Sequence, residues 1–184
     1  MGLLTRLYQK FTGWEFEMNM PAHIKKGVLI GAPHTSNFDF FVSLAFMFSR
    51  PYSFNYIIKQ SWIDSPLGWI FKITNGIGVD RKADNKDFVL GLQKEMIKRD
   101  QLFLVMSPEG TRSYVERWKT GFYRIATAAQ LPIILGKADY QKKVLDANRV
   151  FWPTGDLSVD FVLLEEEYAK VQGKDPSKFN LKFR

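Results

Sequence analysis

Val28-Leu29-Ile30-Gly31-Ala32-Pro33-His34-Thr35-Ser36-Asn37-Phe38-Asp39 is the stretch on which the reading of this chain turns. Val28 to Ala32 is an apolar run of strand length, and the spacing predicts a buried strand. Ser36 or Asn37 can cap a helix that follows, which puts Asp39 in its first turn. The chain has only two histidines, and His34 sits between these two elements with a carboxylate five positions on. A neutral imidazole takes a proton from a hydroxyl near pH 7 better than any other unperturbed side chain. A carboxylate on the far ring nitrogen fixes the tautomer and stabilises the imidazolium that forms. The same residues also fit a satisfied loop histidine with Asp39 complementing the helix dipole. Spacing alone leaves both readings open. His23 has no such neighbours and reads as a surface loop residue.

Working outward, Leu3, Leu4, Leu7, Tyr8 and Phe11 share one helical face, suited either to a membrane interface or to packing on the domain. Phe54 to Lys59 and Ile77 to Asp80 read as strands. Between them Ser65-Pro66 opens a short helix through Trp69 and Phe71. Asp84 caps an amphipathic helix with Val89, Leu92, Met96 and Ile97 on one face. Leu102 to Met106 and Pro132 to Gly136 are further strands, separated by a helix over Thr120 to Gln130. Tyr140 to Trp152 reads as a hairpin turning at Asp146-Ala147-Asn148. A helix from Leu157 to about Val171 precedes a polar tail. Strands alternating with helices predict an α/β fold around a mostly parallel central sheet flanked by helices. We expect residues 1–184 to form a single domain, with 1–20 an amphipathic helical region.

In open α/β sheets ligands bind beyond the strand C-termini. His34 follows one strand directly, and Ser107-Pro108-Glu109-Gly110-Thr111-Arg112-Ser113 follows another, about 70 residues later. Arg112 offers a planar fork for phosphate oxygens. Thr111 and Ser113 offer hydroxyls, and Gly110 lets backbone N–H groups approach an anion. Glu109 can hold Arg112 or bond a substrate hydroxyl. A polar turn with a local ion pair fits as well. Asn75-Gly76-Ile77-Gly78-Val79-Asp80-Arg81 is a third candidate, although it lacks the third glycine of a dinucleotide fingerprint. Arg117, Lys119 and Arg124 flank Trp118, Phe122 and Tyr123, a pattern suited to nucleic acid, to a phosphate beside an acyl chain, or to a solvated helix start.

A chain of 184 residues, 46% hydrophobic and 24% charged, suits one globular domain rather than a disordered segment. The absence of cysteine removes disulfides, a thiolate nucleophile and a cysteine zinc site. No transition-metal centre is expected from two histidines without metal-ligand spacing. The net charge of +7 is concentrated in residues 50–150, which hold 17 Lys and Arg against 10 Asp and Glu. That surface favours anionic lipid, nucleic acid or phosphorylated small molecules. No apolar run reaches the roughly 18–20 residues of a membrane span. Arg6 breaks the myristoylation pattern. The expected place is cytoplasmic, peripheral at the inner face of the membrane.

Taken together, the clusters resemble the glycerolipid acyltransferase family, typified by lysophosphatidic acid acyltransferases, over residues 28–136. His34-x4-Asp39 with Thr35-Ser36-Asn37 between resembles the first family motif. Gly78-Val79-Asp80-Arg81 resembles the second and Pro108-Glu109-Gly110-Thr111-Arg112-Ser113 the third. Leu131-Pro132-Ile133-Ile134 resembles the fourth, and Lys119 and Gly121 match the basic-glycine step after the third. Ser107 departs from it, standing where an apolar residue is common. The chain looks like the compact bacterial branch, with a glycerol-3-phosphate acyltransferase-like fold.

The resemblance implies His34 as general base on an acceptor hydroxyl and Asp39 as the group that orients it. It implies Arg81, Glu109, Gly110, Thr111, Arg112 and Lys119 as the acceptor-phosphate site, with Pro132 shaping an acyl wall. The implied donor is an acyl thioester on coenzyme A or acyl carrier protein. The implied acceptor is a lysophospholipid or glycerol-phosphate-type hydroxyl. Neither a metal nor a redox cofactor is implied, and nucleic acid is not expected as a partner. The rival readings are an acyl-thioester hydrolase and a non-catalytic module for anionic lipid or nucleic acid.

Overall fold

The computed structural model describes residues 2–79 and 86–182. Its strands are β1 (Glu15–Glu17), β2 (Lys26–Ala32), β3 (Phe54–Lys59), β4 (Gly76–Val79), β5 (Leu102–Met106), β6 (Ile133–Asp139) and β7 (Val144–Phe151). Its α-helices are α1 (Leu3–Thr12), α2 (Phe38–Phe48), α3 (Gln60–Ile63), α4 (Gly68–Ile73), α5 (Lys86–Lys98), α6 (Gly121–Ala128) and α7 (Leu157–Tyr168). The strands form one sheet in the order β1-β7-β6-β2-β5-β3-β4. Every pairing is parallel except that of β6 with β7. The expected α/β architecture with a mostly parallel, helix-flanked sheet is what forms.

Strand β2 explains why the sheet is covered on both faces. Successive side chains point to opposite sides. Val28, Ile30 and Ala32 enter one core with Leu92 and Met96 of α5, Phe122 and Ile125 of α6, and Leu164 and Tyr168 of α7. Leu29 enters the other with Val42, Phe46 and Met47 of α2, Phe71 of α4, and Trp14 and Phe16. A strand apolar on both faces is the signature of a central parallel strand. β2 lies between β5 and β6, so His34 emerges at the middle of the sheet's C-terminal edge. The loop after β5 emerges beside it.

Several local expectations need correction. The hairpin turns at Tyr140 to Lys143, not at Asp146-Ala147-Asn148. Asp139 Oδ1 accepts the N–H groups of Gln141 and Lys142 and closes that turn, and Lys143 takes a positive φ of 54°. Asp146 to Asn148 lies inside β7, where Ala147 is buried. Ser65-Pro66 does not open α4. Gly68 N–H bonds Ser65 O in a turn, and the helix begins at Gly68. Ile97 is exposed, whereas Leu92 and Met96 are buried. Trp118, Phe122 and Tyr123 are all buried, so their rings are unavailable to a nucleic acid or an acyl chain. Strand β1 was not expected; its three residues pair with Val144 to Asp146. The expected cap at Asp84 lies outside the described residues.

Candidate functional site

Asp39 is the hub of the site. It lies in the first turn of α2, as its place after the loop predicts. Its Oδ2 accepts the backbone N–H groups of Thr35 at 2.7 Å and Ser36 at 2.8 Å. The same oxygen stands 3.2 Å from His34 Nδ1. Its Oδ1 accepts the Tyr140 hydroxyl at 2.6 Å. The carboxylate therefore folds the loop back over itself and holds the imidazole by one nitrogen. His34 Nε2 makes no hydrogen bond among the described residues. The imidazole is 30% exposed and the Asp39 side chain 5%. The ring is accessible while its partner is shielded.

Burial raises the Asp39 carboxyl, but hydrogen bonds from His34, Tyr140 and the Ser36 N–H outweigh it, and the net shift is downward. A carboxyl with a depressed folded value stabilises the fold above its unfolded value, and that contribution is lost as pH falls through the folded one. Asp39 thus favours the folded state at neutral pH and ceases to do so on acidification. Burial and the adjacent carboxylate push the Tyr140 phenol far up, which keeps it a hydrogen-bond donor. Tyr140 packs edge-on against Trp14, with ring centroids 4.9 Å apart. Neither residue stood out in the sequence, because Tyr140 lies 101 positions from Asp39 and in a turn that periodicity misplaces.

Glu109 corrects an expectation. It does not face an open substrate site and does not hold Arg112. It is 1% exposed. Its Oε1 accepts the backbone N–H of His34 at 2.8 Å, and its Oε2 accepts the Ser107 hydroxyl at 2.7 Å. Ser107, the residue that departs from the family pattern, thus satisfies the second oxygen. Burial pushes the Glu109 carboxyl up, although Ser107 and the His34 N–H pull the other way. Glu109→Ala leaves a part-buried N–H unsatisfied and is expected to cost about 1–3 kcal/mol in urea unfolding. Glu109→Gln can accept from His34 and donate to Ser107 Oγ, so its cost is expected to stay below ~1 kcal/mol. Equal losses for the two variants would contradict this role.

The two loops meet at their exposed ends as well. Arg112 Nη1 donates to Asn37 Oδ1. Gly110 takes a left-handed φ of 66°, and a Cβ there would lie 3.1–3.2 Å from the Lys119 side chain, which rests over it. Gly110 N–H is taken by Ser107, so it is not aimed at an anion. Thr111 Oγ1 accepts the Ser113 N–H at 3.3 Å. Arg112 and Lys119 are both exposed, the first reaching Asn37 of the His34 loop and the second lying over Gly110. Arg81 lies outside the described residues.

The C-terminal tail, which reads in sequence as merely polar, crosses the His34 loop and the turn between β6 and β7. Asp175 N–H bonds Thr35 Oγ1 at 3.1 Å, and Gln172 O accepts Tyr140 N–H at 2.8 Å. Lys174 Nζ stands 3.1 Å over the Phe38 ring, a cation–π contact beside the site. Further on, Asn180 O accepts Trp118 Nε1–H at 2.7 Å.

Beneath His34 an apolar pocket opens between the sheet and α2. Leu29, Gly31, Val105, Gly136, Ala138 and Leu145 form its floor, and Ser43, Phe46 and Met47 its wall, with His34 and Asp39 at one end. Pro132 is not among its lining residues. It immediately precedes β6, at the opposite end of the sheet, where Val28 N–H bonds its carbonyl. An imidazole backed by a buried carboxylate, above an apolar pocket and beside exposed cations, can take a proton from a hydroxyl on an amphipathic anion.

A family profile described as Acyltransferase matches residues 14–134, which include His34, Asp39 and the Ser107–Ser113 loop. The chain belongs to this acyltransferase family, and its His–Asp pair has the H-x4-D spacing. Searches against curated proteins and against solved structures find no significant match.

Proposed function

We propose that this protein transfers a fatty acyl group from an acyl thioester, on coenzyme A or acyl carrier protein, to the hydroxyl of a lysophospholipid or glycerol-phosphate-type acceptor. The activity so read is 1-acylglycerol-3-phosphate O-acyltransferase-like, on a glycerol-3-phosphate acyltransferase-like fold. The observation that carries the reading is the His34 imidazole, held by Asp39 at the mouth of an apolar pocket, with Arg112 reaching the same loop. His34 Nε2 takes the acceptor's hydroxyl proton as that oxygen bonds to the thioester carbonyl carbon. The carbon–sulfur bond then breaks, and the departing sulfur takes the proton from the imidazolium. The acceptor supplies its own oxygen, so no protein nucleophile is required. Arg112, Lys119 and Arg81 hold the acceptor's phosphate, with Gly110 and Thr111 shaping the loop that carries them. Glu109 acts from behind by fixing the His34 backbone.

The test is incubation with labelled acyl-CoA and a panel of glycerol phosphate, lysophosphatidate and other lysophospholipids. Labelled acylated product supports the reading, whereas free fatty acid alone means a hydrolase. Arg112→Ala is expected to raise the acceptor KM with little change in kcat, since binding common to ground and transition states acts there. A pure kcat loss would instead put Arg112 at the reacting carbon.

A peripheral membrane site completes the proposal. No helix of the described residues is long and apolar enough to cross a membrane. Helix α1 leaves Leu4 83% and Phe11 81% exposed, with Arg6 and Lys10 exposed beside them. On the same side of the sheet Phe41 and Phe48 of α2, Trp62 of α3 and Trp69 of α4 are also exposed. Apolar and aromatic side chains edged by cations suit a lipid headgroup boundary. Binding to liposomes of anionic lipid is expected and should weaken as salt rises. Absent or salt-insensitive binding would remove this part of the proposal.

A further inference from the structure

Residues 171–175 run as irregular backbone, yet Gly173 is buried between exposed Gln172 and exposed Lys174. Its backbone presses on the His34 loop. A Cβ at Gly173 would lie 2.9 Å from Pro33 Cβ, 3.0 Å from Thr35 Oγ1 and 3.1 Å from Thr35 Cγ2. Such a close approach of backbone to another group is a place where only glycine fits. The segment is anchored on both sides. Val171 N–H bonds Tyr168 O at the end of α7, where Tyr168 is fully buried. Further on, Asn180 Nδ2 donates to Val115 O and Glu116 O, and Lys182 O accepts Trp118 N–H. Between these anchors the tail fastens two residues that serve Asp39. Thr35, whose N–H bonds Asp39 Oδ2, accepts Asp175 N–H on its Oγ1. Tyr140, whose hydroxyl bonds Asp39 Oδ1, donates its own N–H to Gln172 O. One donor for each carboxylate oxygen is thus held by the stretch from Gln172 to Asp175.

We infer that Gly173 and Thr35 are positioning residues, through which the strap over residues 172–175 sets the alignment of Asp39 with His34. The inference rests on the acyl-transfer reading above. Thr35 is 3% exposed and Gly173 is buried without a side chain, so both act through the loop and not on a substrate. Asp39 Oδ2 faces His34 Nδ1 only while the Thr35 and Ser36 N–H groups keep it there. Displacing the tail takes the Oγ1 partner from Thr35 and the cover from Pro33, and the loop gains freedom. The hydrogen bond at one ring nitrogen decides which nitrogen carries the proton. An imidazole released from its carboxylate carries a proton on Nε2 part of the time, and in that form Nε2 accepts none from a hydroxyl.

The experiment compares wild type with Gly173→Ala, Gly173→Val, Thr35→Val and Thr35→Ser. Gly91→Ala, on α5 with open space around it, serves as the control. Nitrogen NMR of isotopically labelled histidine reads the His34 tautomer. The chain has only two histidines, so His23→Gln assigns the signals. Initial rates with labelled palmitoyl-CoA and the accepted member of the acceptor panel give kcat and KM, and a thermal melt gives stability. Wild type and Gly91→Ala should hold the His34 proton on Nδ1. Gly173→Val should show both tautomers and lose about 10²-fold in kcat, the cost of a misplacement of ~1 Å near the chemistry, with KM unchanged. Gly173→Ala should shift the same way by less. Thr35→Val removes the Oγ1 acceptor and should lose about threefold to tenfold in kcat, whereas Thr35→Ser keeps the acceptor and should restore it. If Gly173→Val does not fold, Gly173→Ala and the Thr35 pair carry the comparison. A lowered melting temperature with tautomer and kcat unmoved makes the tail merely structural and overturns the inference. So does a Thr35→Ser loss equal to that of Thr35→Val, or a loss confined to KM. Shifted tautomers in a protein that acylates no hydroxyl would overturn the function and leave the positioning role standing. Transfer with an unmoved tautomer in the Gly173 variants would do the reverse.

Discussion

His34→Ala is expected to lower acyl transfer by about 10²–10⁴-fold, the usual contribution of a positioned general base. Stability should change little. The imidazole is part-exposed, and its removal leaves the Asp39 carboxylate still accepting Thr35, Ser36 and Tyr140. The Glu109 contact is made by the backbone N–H at position 34, which alanine retains. The measurement is initial rate with labelled acyl-CoA, alongside a thermal melt. Near-normal turnover in a folded variant would remove His34 from the reaction. A collapsed melt would mean instead that the ring is structural.

Asp39→Asn is the second large effect, and the geometry changes its expected cause. In sequence, an amide beside the imidazole implies the wrong tautomer. In the structure, one oxygen of Asp39 accepts two backbone N–H groups and faces Nδ1, while the other faces a hydroxyl. An asparagine therefore keeps its oxygen at the Oδ2 position and donates its NH₂ to Tyr140, whose hydroxyl can accept. Loop and tautomer survive, and the negative charge that stabilises the imidazolium is lost. The expected outcome is a folded enzyme slowed by about 10²–10⁴-fold, with the loss in kcat. Tyr140→Phe, which removes one hydrogen bond and keeps the charge, should cost less, about tenfold given a net ~1.5 kcal/mol for a bond to a charged group. A Tyr140→Phe loss as large as that of Asp39→Asn would make the phenol a direct participant.

The elements legible in the sequence are those with unbroken apolar character. β3 and β5 occupy the residues that composition predicts, because central strands are apolar on both faces and need no partner to announce themselves. Helix α2 places Asp39 in its first turn for an equally local reason. What stayed hidden depends on distant partners. Strand β1 has three residues and exists only because β7 pairs with it. Asp146-Ala147-Asn148 has turn composition, yet pairing with β1 and β6 holds it in β7. Glu109 carries the most instructive difference. As a residue type in a polar loop it suits a substrate hydroxyl, but the chain turns it inward to fasten His34 across 75 positions. The tail is the same case, since Asp175 meets Thr35 across 140 positions.

The central claim is that His34 and Asp39 act as one unit on a hydroxyl proton. A double-mutant cycle on kcat/KM for acyl transfer, using His34→Ala, Asp39→Asn and the two combined, tests it most directly. Residues that act as a unit are strongly non-additive. The double variant should lose no more than His34→Ala alone, because a carboxylate without its imidazole has nothing left to stabilise. Losses that multiply would show two independent roles and contradict the account.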